Sequence, residues 1–422
     1  MIPLAYTLSF VCFILNVSLF FRLKWPEGGA YLWICHIITG GLSPFLVVLG
    51  SLGAGLGWSY RAPVAVVAGL IGAGLSLFYM VRVTVPQHGF DLAFGTDWQH
   101  KIPRTLETRL LPQRWNIGLP RTKEPCWERD LPFWTIPCEA TNRGGTDRKL
   151  LCDVWQPPDG VLPTGLAFIY LHGCCWYLFD KDFGTRSLFR QLAAQGHVIM
   201  DVAYRLCPEV DIYGMVGDVK RAVAWMKSNA ARYQVNPERI VLSGGSAGAH
   251  LALLAAYTPE HPQLTPVDLQ GCDLSVRAVV SYYGPTDLRA CYEHLDQKRM
   301  IGLPKVEIGL PERKTNFADV GRLDILLGGH PHETPEVYEL ASPVTHVRPG
   351  CPPTLLIQGE PDFIAPMAAT NELHRKLIEC GVPAANILYP LTNHAFDLVF
   401  PQVSPSAQAA LYYLERFLAL MV

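Results

Sequence analysis

Three long apolar runs dominate the first eighty residues of the chain. The runs cover residues 2–21, 31–56 and 62–81. Each is long enough for a transmembrane helix, which takes about 20 apolar residues. Arg22 follows the first run, and Arg61 and Arg82 bracket the third as cations suited to the membrane interface. A cleavable signal peptide would start with basic residues, and the first run has none before Arg22. The pattern therefore predicts about three uncleaved transmembrane helices within residues 1–86.

Beyond residue 148 the pattern changes to short apolar runs that alternate with amphipathic stretches. Strands are predicted over residues 166–171, 197–203, 240–243, 278–283, 354–358 and 386–389, and helices over residues 214–232 and 406–420. Such alternation predicts an α/β fold over residues 149–422, with a mostly parallel sheet and helices on both faces. The alternation stops over about residues 291–349, which predicts an inserted cap.

Residues 87–148 separate the two regions and contain prolines, mixed charges and several tryptophans. The tryptophans include Trp98, Trp115, Trp127 and Trp134. This composition predicts a linker that packs on the C-terminal domain. The alternative is that the tryptophans form an interfacial aromatic belt or a lid.

Composition supports a membrane protein and argues against several other classes. Hydrophobic residues make up 50% of the chain and charged residues 17%, against about 25% charged in a soluble domain. A net charge of −2 and a pI of about 6.7 do not indicate the basic surface that binds nucleic acid. The twelve cysteines show neither a disulfide framework nor the paired spacing of a zinc site. Free cysteines favour a cytoplasmic C-terminal domain, and the basic residues around the apolar runs favour the same side. No feature predicts an oligomeric state.

A serine between glycines marks the junction of a predicted strand and a predicted helix. Gly244-x-Ser246-x-Gly248 follows the strand at residues 240–243 and precedes the apolar stretch at residues 249–257. In a nucleophile elbow the serine sits on a tight strand-to-helix turn, and the small neighbours allow the backbone to fold closely. The pattern predicts that Ser246 is a nucleophile, and the alternative is a structural glycine turn.

A serine nucleophile needs a histidine base and a carboxylate that orients the histidine. In this arrangement the acid and then the base follow the serine along the chain. Asp362 comes just after the predicted strand at 354–358, and His394 comes after the next predicted strand. Asp287 also follows a strand and is the rival acid, although an aspartate there is often a helix N-cap. We favour Asp362.

The reaction also needs amide donors for the oxyanion that forms at the substrate carbonyl. One is expected from Ala247, directly after the nucleophile, and the other from the loop that follows an early strand. Gly173 and Cys174 lie in that loop. Trp176 and Tyr177, just beyond them, are candidates for the acyl pocket, with core packing as the alternative.

These motifs resemble the esterase and lipase group of α/β-hydrolases related to hormone-sensitive lipase. That group carries HGGG before the elbow where this chain has His172-Gly173-Cys174-Cys175, and Tyr204-Arg205-Leu206-Cys207-Pro208-Glu209 is close to its YRLAPE motif. The elbow spelling and the stretch at residues 215–219 are also similar to membrane-anchored prenylcysteine methylesterases and arylformamidase-like hydrolases. This chain has cysteines at two positions where the group has glycines. A main-chain N–H group can still donate a hydrogen bond there, whichever side chain the residue carries.

The resemblance and the motifs together imply a membrane-anchored serine hydrolase that cleaves a carboxylic ester through an acyl-enzyme. The anchor favours a lipophilic or lipid ester, and the chemistry needs no cofactor and no metal. Two alternatives stay open at this point. One is an amide hydrolase of the arylformamidase kind, and the other is a catalytically silent hydrolase fold that serves as a binding module.

Overall fold

A computed structural model describes residues 1–22, 29–137, 147–295, 307–308, 315–316 and 319–422. The helices are α1 Ile2–Ser18, α2 Gly29–Gly41, α3 Ser43–Ser59, α4 Pro63–Thr84, α5 Gly89–Phe94, α6 Arg104–Glu107, α7 Arg186–Ala194, α8 Ile212–Ser228, α9 Ala247–Tyr257, α10 Leu288–His294, α11 Leu323–Leu326, α12 Pro335–Leu340, α13 Met367–Glu379 and α14 Pro405–Met421. The strands are β1 Cys126–Ile136, β2 Arg148–Gln156, β3 Ala167–Leu171, β4 Val198–Val202, β5 Ile240–Gly245, β6 Ala278–Tyr282, β7 Glu307–Ile308, β8 Thr315–Asn316, β9 Thr354–Gly359 and β10 Ala384–Tyr389.

Eight strands form one sheet in the order β1-β2-β4-β3-β5-β6-β9-β10. The six strands from β4 to β10 in that order pair in parallel, whereas β2 is antiparallel to both of its neighbours. Alternate residues of each strand face opposite sides, so Ile169 and Phe168 of β3 belong to two separate clusters of buried apolar side chains. Helices α8 and α9 cover one face, and α5, α7 and α14 cover the other. The predicted α/β fold, its parallel strands and its two long helices are confirmed.

Part of the predicted linker, residues 87–148, forms a strand. Strand β1 lies within it and pairs with β2 at the edge of the sheet. Register shifts between Glu128 and Leu131 and between Pro132 and Trp134 interrupt the pairing, and most of the strand is exposed or half-buried. An edge strand of this kind lacks the regular apolar alternation that identifies buried strands. In the earlier part of the same range, Phe90 and Trp98 are buried in the cluster that α14 covers.

The apolar run at residues 31–56 does not form one helix. Helices α2 and α3 meet there with a bend of 82°. Gly40 and Gly41 are the last residues of α2, and Pro44 in the first turn of α3 has no N–H group to continue the preceding helix. The run predicted as the second span therefore consists of two helices that meet at a sharp bend.

Within the described ranges, one helical stretch is long and apolar enough to cross a membrane by itself, Pro63–Phe94. The bent pair of α2 and α3 passes the same test only if it is counted as one span. Helices α1, α3 and α4 pack against one another closely. A Cβ atom on Gly69 of α4 would lie 2.5 Å from the carbonyl oxygen of Gly50 in α3, so the two backbones touch at this point.

Much of the predicted cap, residues 296–306, 309–314 and 317–318, lies outside the described residues. The described part includes the short helices α10, α11 and α12, whose buried side chains belong to the cluster on the α9 side of the sheet. This segment also reaches the loop after β3, because Tyr177 donates a hydrogen bond to the carbonyl oxygen of Arg322 at 2.9 Å.

Candidate active site

Ser246 occupies a sharp turn between β5 and α9. Its φ of 53° and ψ of −119° are rarely adopted by a residue with a side chain. The glycines on either side are sterically required. A Cβ atom on Gly244 would lie 2.5 Å from the carbonyl carbon of Gly248, and one on Gly248 would lie 2.0 Å from the carbonyl oxygen of Leu171. The local geometry is therefore that of a nucleophile elbow, with the serine at the carboxyl end of a central strand.

The structure brings Ser246, His394 and Asp362 together. The Oγ atom of Ser246 lies 2.8 Å from Nε2 of His394, and Nδ1 of His394 lies 2.8 Å and 3.0 Å from the two carboxylate oxygens of Asp362. The three residues are between 3% and 9% exposed. With Nδ1–H donating to the carboxylate, Nε2 is free to accept the serine proton.

Asp362 lies in the turn after β9, where it also organises its own loop. Its Oδ1 atom accepts hydrogen bonds from the main-chain N–H groups of Ile364 and Ala365, both at 2.9 Å. The rival acid has a different place. Asp287 is the N-cap of α10 and accepts a hydrogen bond from the N–H group of Ala290 at 3.0 Å.

The loop after β3 passes directly beside Ser246. A Cβ atom on Gly173 would lie 3.0 Å from the carbonyl oxygen of Gly245 and 3.4 Å from Cβ of Ser246, so glycine permits this approach. Over the described residues, the main-chain N–H groups of Gly173 and Cys174 donate to no other residue. Ala247 is the first residue of α9, where helical N–H groups have no acceptor in the preceding turn. These amides are thus available for an oxyanion.

The cysteines of this loop take up the backbone conformation of glycine. Cys174, Cys175 and Trp176 have φ angles of 77°, 59° and 65°. Burial raises the pKa of the Cys174 thiol to about 12 and that of the Cys175 thiol to about 11. Both side chains are therefore neutral thiols at physiological pH and poor nucleophiles.

Tyr204 contacts the start of the loop after β3, and a buried ion pair lies directly beside Tyr204 in the chain. The Tyr204 ring stacks on His172, with centroids 4.5 Å apart, and its hydroxyl donates to the His172 carbonyl oxygen at 2.9 Å. The next residue, Arg205, makes a bidentate pair with Asp218 at 2.7 Å and 2.8 Å, and Asp218 is fully buried. The two motifs behind the family resemblance therefore meet in space at the contact between Tyr204 and His172.

Trp176 and Tyr177 lie in the apolar cluster beneath the loop and are 5% and 4% exposed. The Trp176 indole N–H donates to Nδ1 of His250 at 3.2 Å, and Nε2 of His250 contacts the Ala341 carbonyl oxygen at 2.8 Å. Burial lowers the pKa of His250 to about 4, so the side chain is neutral and serves to hold Trp176 in place through these hydrogen bonds. The burial and bonding of both aromatic residues match the packing alternative, and their role in a substrate pocket stays a prediction.

Sequence reasoning missed a tyrosine and a second carboxylate next to the histidine. The Tyr283 ring centroid lies 4.5 Å from that of His394, and the Tyr283 hydroxyl donates to Asp397. Burial raises the pKa of the Asp397 carboxyl to about 6. The sequence did offer one sign that a second carboxylate lies near the histidine, because Asp397 follows His394 by three residues.

The sheet order, the elbow and the acid-base-serine contacts together define an α/β-hydrolase. More specifically, residues 152–377 match the BD-FAE family, and the chain belongs to that family. It is 30% identical over 318 residues to Esterase LipQ of Mycobacterium tuberculosis, an alignment that covers 72% of this chain and 68% of LipQ.

Another relative and a solved structure are also similar to this chain. The probable carboxylic ester hydrolase LipM of the same organism is 30% identical over 271 residues, which cover 63% of this chain and 57% of LipM. The apo form of Thermogutta terrifontis esterase 2 superposes with a TM-score of 0.50 at 19% identity, over 70% of this chain and 93% of that one. The structural likeness concerns the fold alone.

Proposed function

We propose that this protein is a membrane-anchored serine hydrolase that cleaves carboxylic esters through an acyl-enzyme. The observation that carries the proposal is the continuous hydrogen-bonded line from Ser246 through His394 to Asp362, with 2.8 Å at each junction. Membership in a family whose named relatives are esterases supports the ester as the substrate class.

Acylation begins when Oγ of Ser246 attacks the ester carbonyl carbon. His394 takes the serine proton at Nε2 and becomes an imidazolium, which Asp362 stabilises through the Nδ1–H bond. The carbonyl electrons move to the oxygen, and the amides of Ala247, Gly173 and Cys174 donate to that oxyanion. His394 then gives the proton to the leaving alkoxide, and the alcohol departs from the acyl-enzyme.

Deacylation repeats these steps with water as the nucleophile. His394 takes a proton from the water, and the hydroxide attacks the acyl carbon. When the second oxyanion collapses, the bond between the acyl carbon and Oγ breaks and His394 returns the proton to Oγ, which releases the carboxylic acid and regenerates Ser246. Preformed donors matter in both halves, since loss of one oxyanion donor typically costs about 10²- to 10³-fold in kcat.

The N-terminal helices support a membrane anchor. Large apolar side chains are exposed along α1, α3 and α4, including Phe10, Leu52 and Leu70. Exposed apolar faces of this extent need a cover, and lipid tails provide it. Leu19 after α1 and Val83 in α4 are buried in the same cluster as α14, so two helix ends meet the catalytic domain.

We infer that α4 crosses the membrane, that α1 and α3 pack beside it within the bilayer, and that the catalytic domain lies on the cytoplasmic side. Because the catalytic domain then lies against the bilayer, a lipophilic ester that partitions into the membrane is the substrate class we favour.

Activity-based labelling tests the proposal. We expect the full chain in mild detergent to react with a fluorophosphonate probe and to hydrolyse p-nitrophenyl esters, and Ser246→Ala to lose both activities while its melting temperature stays unchanged. Matched ester and anilide substrates of the same acyl group then measure the preference for ester over amide. Labelling that persists in Ser246→Ala, or no labelling of folded wild type, contradicts the proposal.

A further inference from the structure

Helix α2 touches the loop that carries the histidine. The indole N–H of Trp33 donates a hydrogen bond to the main-chain carbonyl oxygen of His394, and the donor and acceptor atoms are 2.6 Å apart. The same indole ring packs on Phe363, with centroids 5.4 Å apart. Phe363 directly follows Asp362, so one side chain from the N-terminal region contacts both the base loop and the acid loop.

A second connection runs through His36, one turn further along α2. Nε2 of His36 lies 2.8 Å from the carbonyl oxygen of Ser18, which makes Nδ1 the acceptor for the Asn393 side-chain amide at 3.2 Å. The side-chain oxygen Oδ1 of Asn393 in turn accepts hydrogen bonds from the main-chain N–H groups of His394 at 2.8 Å and Phe363 at 3.2 Å. The end of α1 is thereby linked through α2 to the backbone of both loops.

The His394 loop needs such support because its backbone is strained. Leu391 and Ala395, on either side of the Asn393-His394 pair, have φ angles of 54° and 62°. Residues with side chains keep a left-handed conformation only where surrounding contacts hold it. Here α2 supplies polar contacts to Asn393 and His394, two of the three residues that lie between the strained positions.

We propose that α2 is a positioning element of the active site, in which Trp33 directly and His36 through Asn393 hold His394 and Asp362 in line with Ser246. This inference rests on the proposed hydrolase function. It gives the N-terminal region a role in positioning the catalytic residues in addition to its role as an anchor. Neither Trp33 nor His36 reaches the reacting atoms, and both act through the loops that carry the base and the acid.

The test is Trp33→Phe in the full chain, in mild detergent, with Trp115→Phe as the matched control. Trp115 is also half-buried, and its indole N–H also donates to a main-chain carbonyl oxygen, that of Val403, at 3.0 Å. Each variant therefore loses one indole-to-carbonyl hydrogen bond and keeps an aromatic ring. Only the first bond reaches His394.

We expect Trp33→Phe to lower kcat by about 10- to 100-fold with KM little changed, because small misplacements of a catalytic group have effects of this size. The acid limb of the kcat/KM profile should move to lower pH, since a looser bond to Asp362 stabilises the imidazolium less. Trp115→Phe should keep the wild-type kcat and profile.

Equal kcat and equal pH profiles for both tryptophan variants would overturn the positioning role. Should Trp33→Phe fail to fold, His36→Phe decides, with a fall in kcat at constant KM expected and an unchanged kcat contradicting the proposal. Ser246→Ala separates the two levels of inference. If Ser246→Ala retains activity the hydrolase function itself fails, whereas if it is inactive and Trp33→Phe is normal only the role of α2 fails.

Discussion

Replacement of Asp362 by asparagine changes the hydrogen bonding beside His394 while it preserves the shape of the loop. In the wild type, Oδ1 accepts from Ile364 and Ala365, and Oδ2 lies 2.8 Å from Nδ1 of His394. An asparagine must turn its carbonyl oxygen to the two main-chain donors, because its NH₂ group cannot accept them. The NH₂ group then faces Nδ1 of His394.

That orientation selects the inactive tautomer of the histidine. Nδ1 must accept a hydrogen bond from the new amide, so the ring proton moves to Nε2, which can no longer take the proton of Ser246. The variant also lacks the negative charge that stabilises the imidazolium. Together these effects predict a fall in kcat of about 10⁴-fold, as seen when a triad aspartate becomes asparagine. This corresponds to about 5.4 kcal/mol of transition-state stabilisation.

The assay is steady-state hydrolysis of a p-nitrophenyl ester together with the rate of fluorophosphonate labelling, and thermal melting checks the fold. Asp287→Asn is the matched control, because asparagine caps a helix as well as aspartate does, and α10 should keep its start. The reasoning is refuted if Asp362→Asn retains more than about a tenth of wild-type kcat, or if Asp287→Asn loses as much activity as Asp362→Asn.

Three further predictions concern the elbow, the oxyanion loop and pH. Gly248→Ala places a Cβ atom 2.0 Å from a carbonyl oxygen and should lower the free energy of unfolding in urea by at least about 1–3 kcal/mol. Gly118→Ala, whose Cβ atom would have no neighbour closer than 4.0 Å, should change it little, and equal stabilities of the two variants would disprove the steric argument. Cys174→Gly should leave kcat nearly unchanged, because the oxyanion donor at this position is the main-chain N–H group. A loss of roughly 100-fold, the size that accompanies a missing oxyanion donor, would show that the thiol takes part. Burial raises the pKa of Asp201 to about 8, so the folded state keeps a proton that the unfolded state releases near pH 4. The free energy of unfolding should therefore fall as pH rises between these two values. Asp201→Asn should flatten this pH dependence in urea titrations, and an unchanged slope would contradict the raised pKa of Asp201.

Local sequence signals were enough to predict much of the sheet and the turn at Ser246. Strands such as β5 and β9 are short apolar runs bounded by polar residues, and their pattern carries its own evidence. Strand β1 could not be found in this way, because it is an exposed edge strand whose pairing is interrupted. Asp362 and His394 were predicted from their order after consecutive strands, since the carboxyl ends of parallel strands meet at one edge of the sheet.

By itself, the sequence determined the class of fold, the strained glycine-flanked serine and the order of its acid and base, because each depends on neighbours along the chain. The tertiary structure decided how the N-terminal helices meet the active site. An apolar run has the same composition whether it crosses a bilayer as one helix or turns by 82° and packs on a distant loop of the chain. The Trp33 contact with His394 and the His36 contact with Asn393 join residues about 360 positions apart, and only the packing of the folded chain brings such residues together.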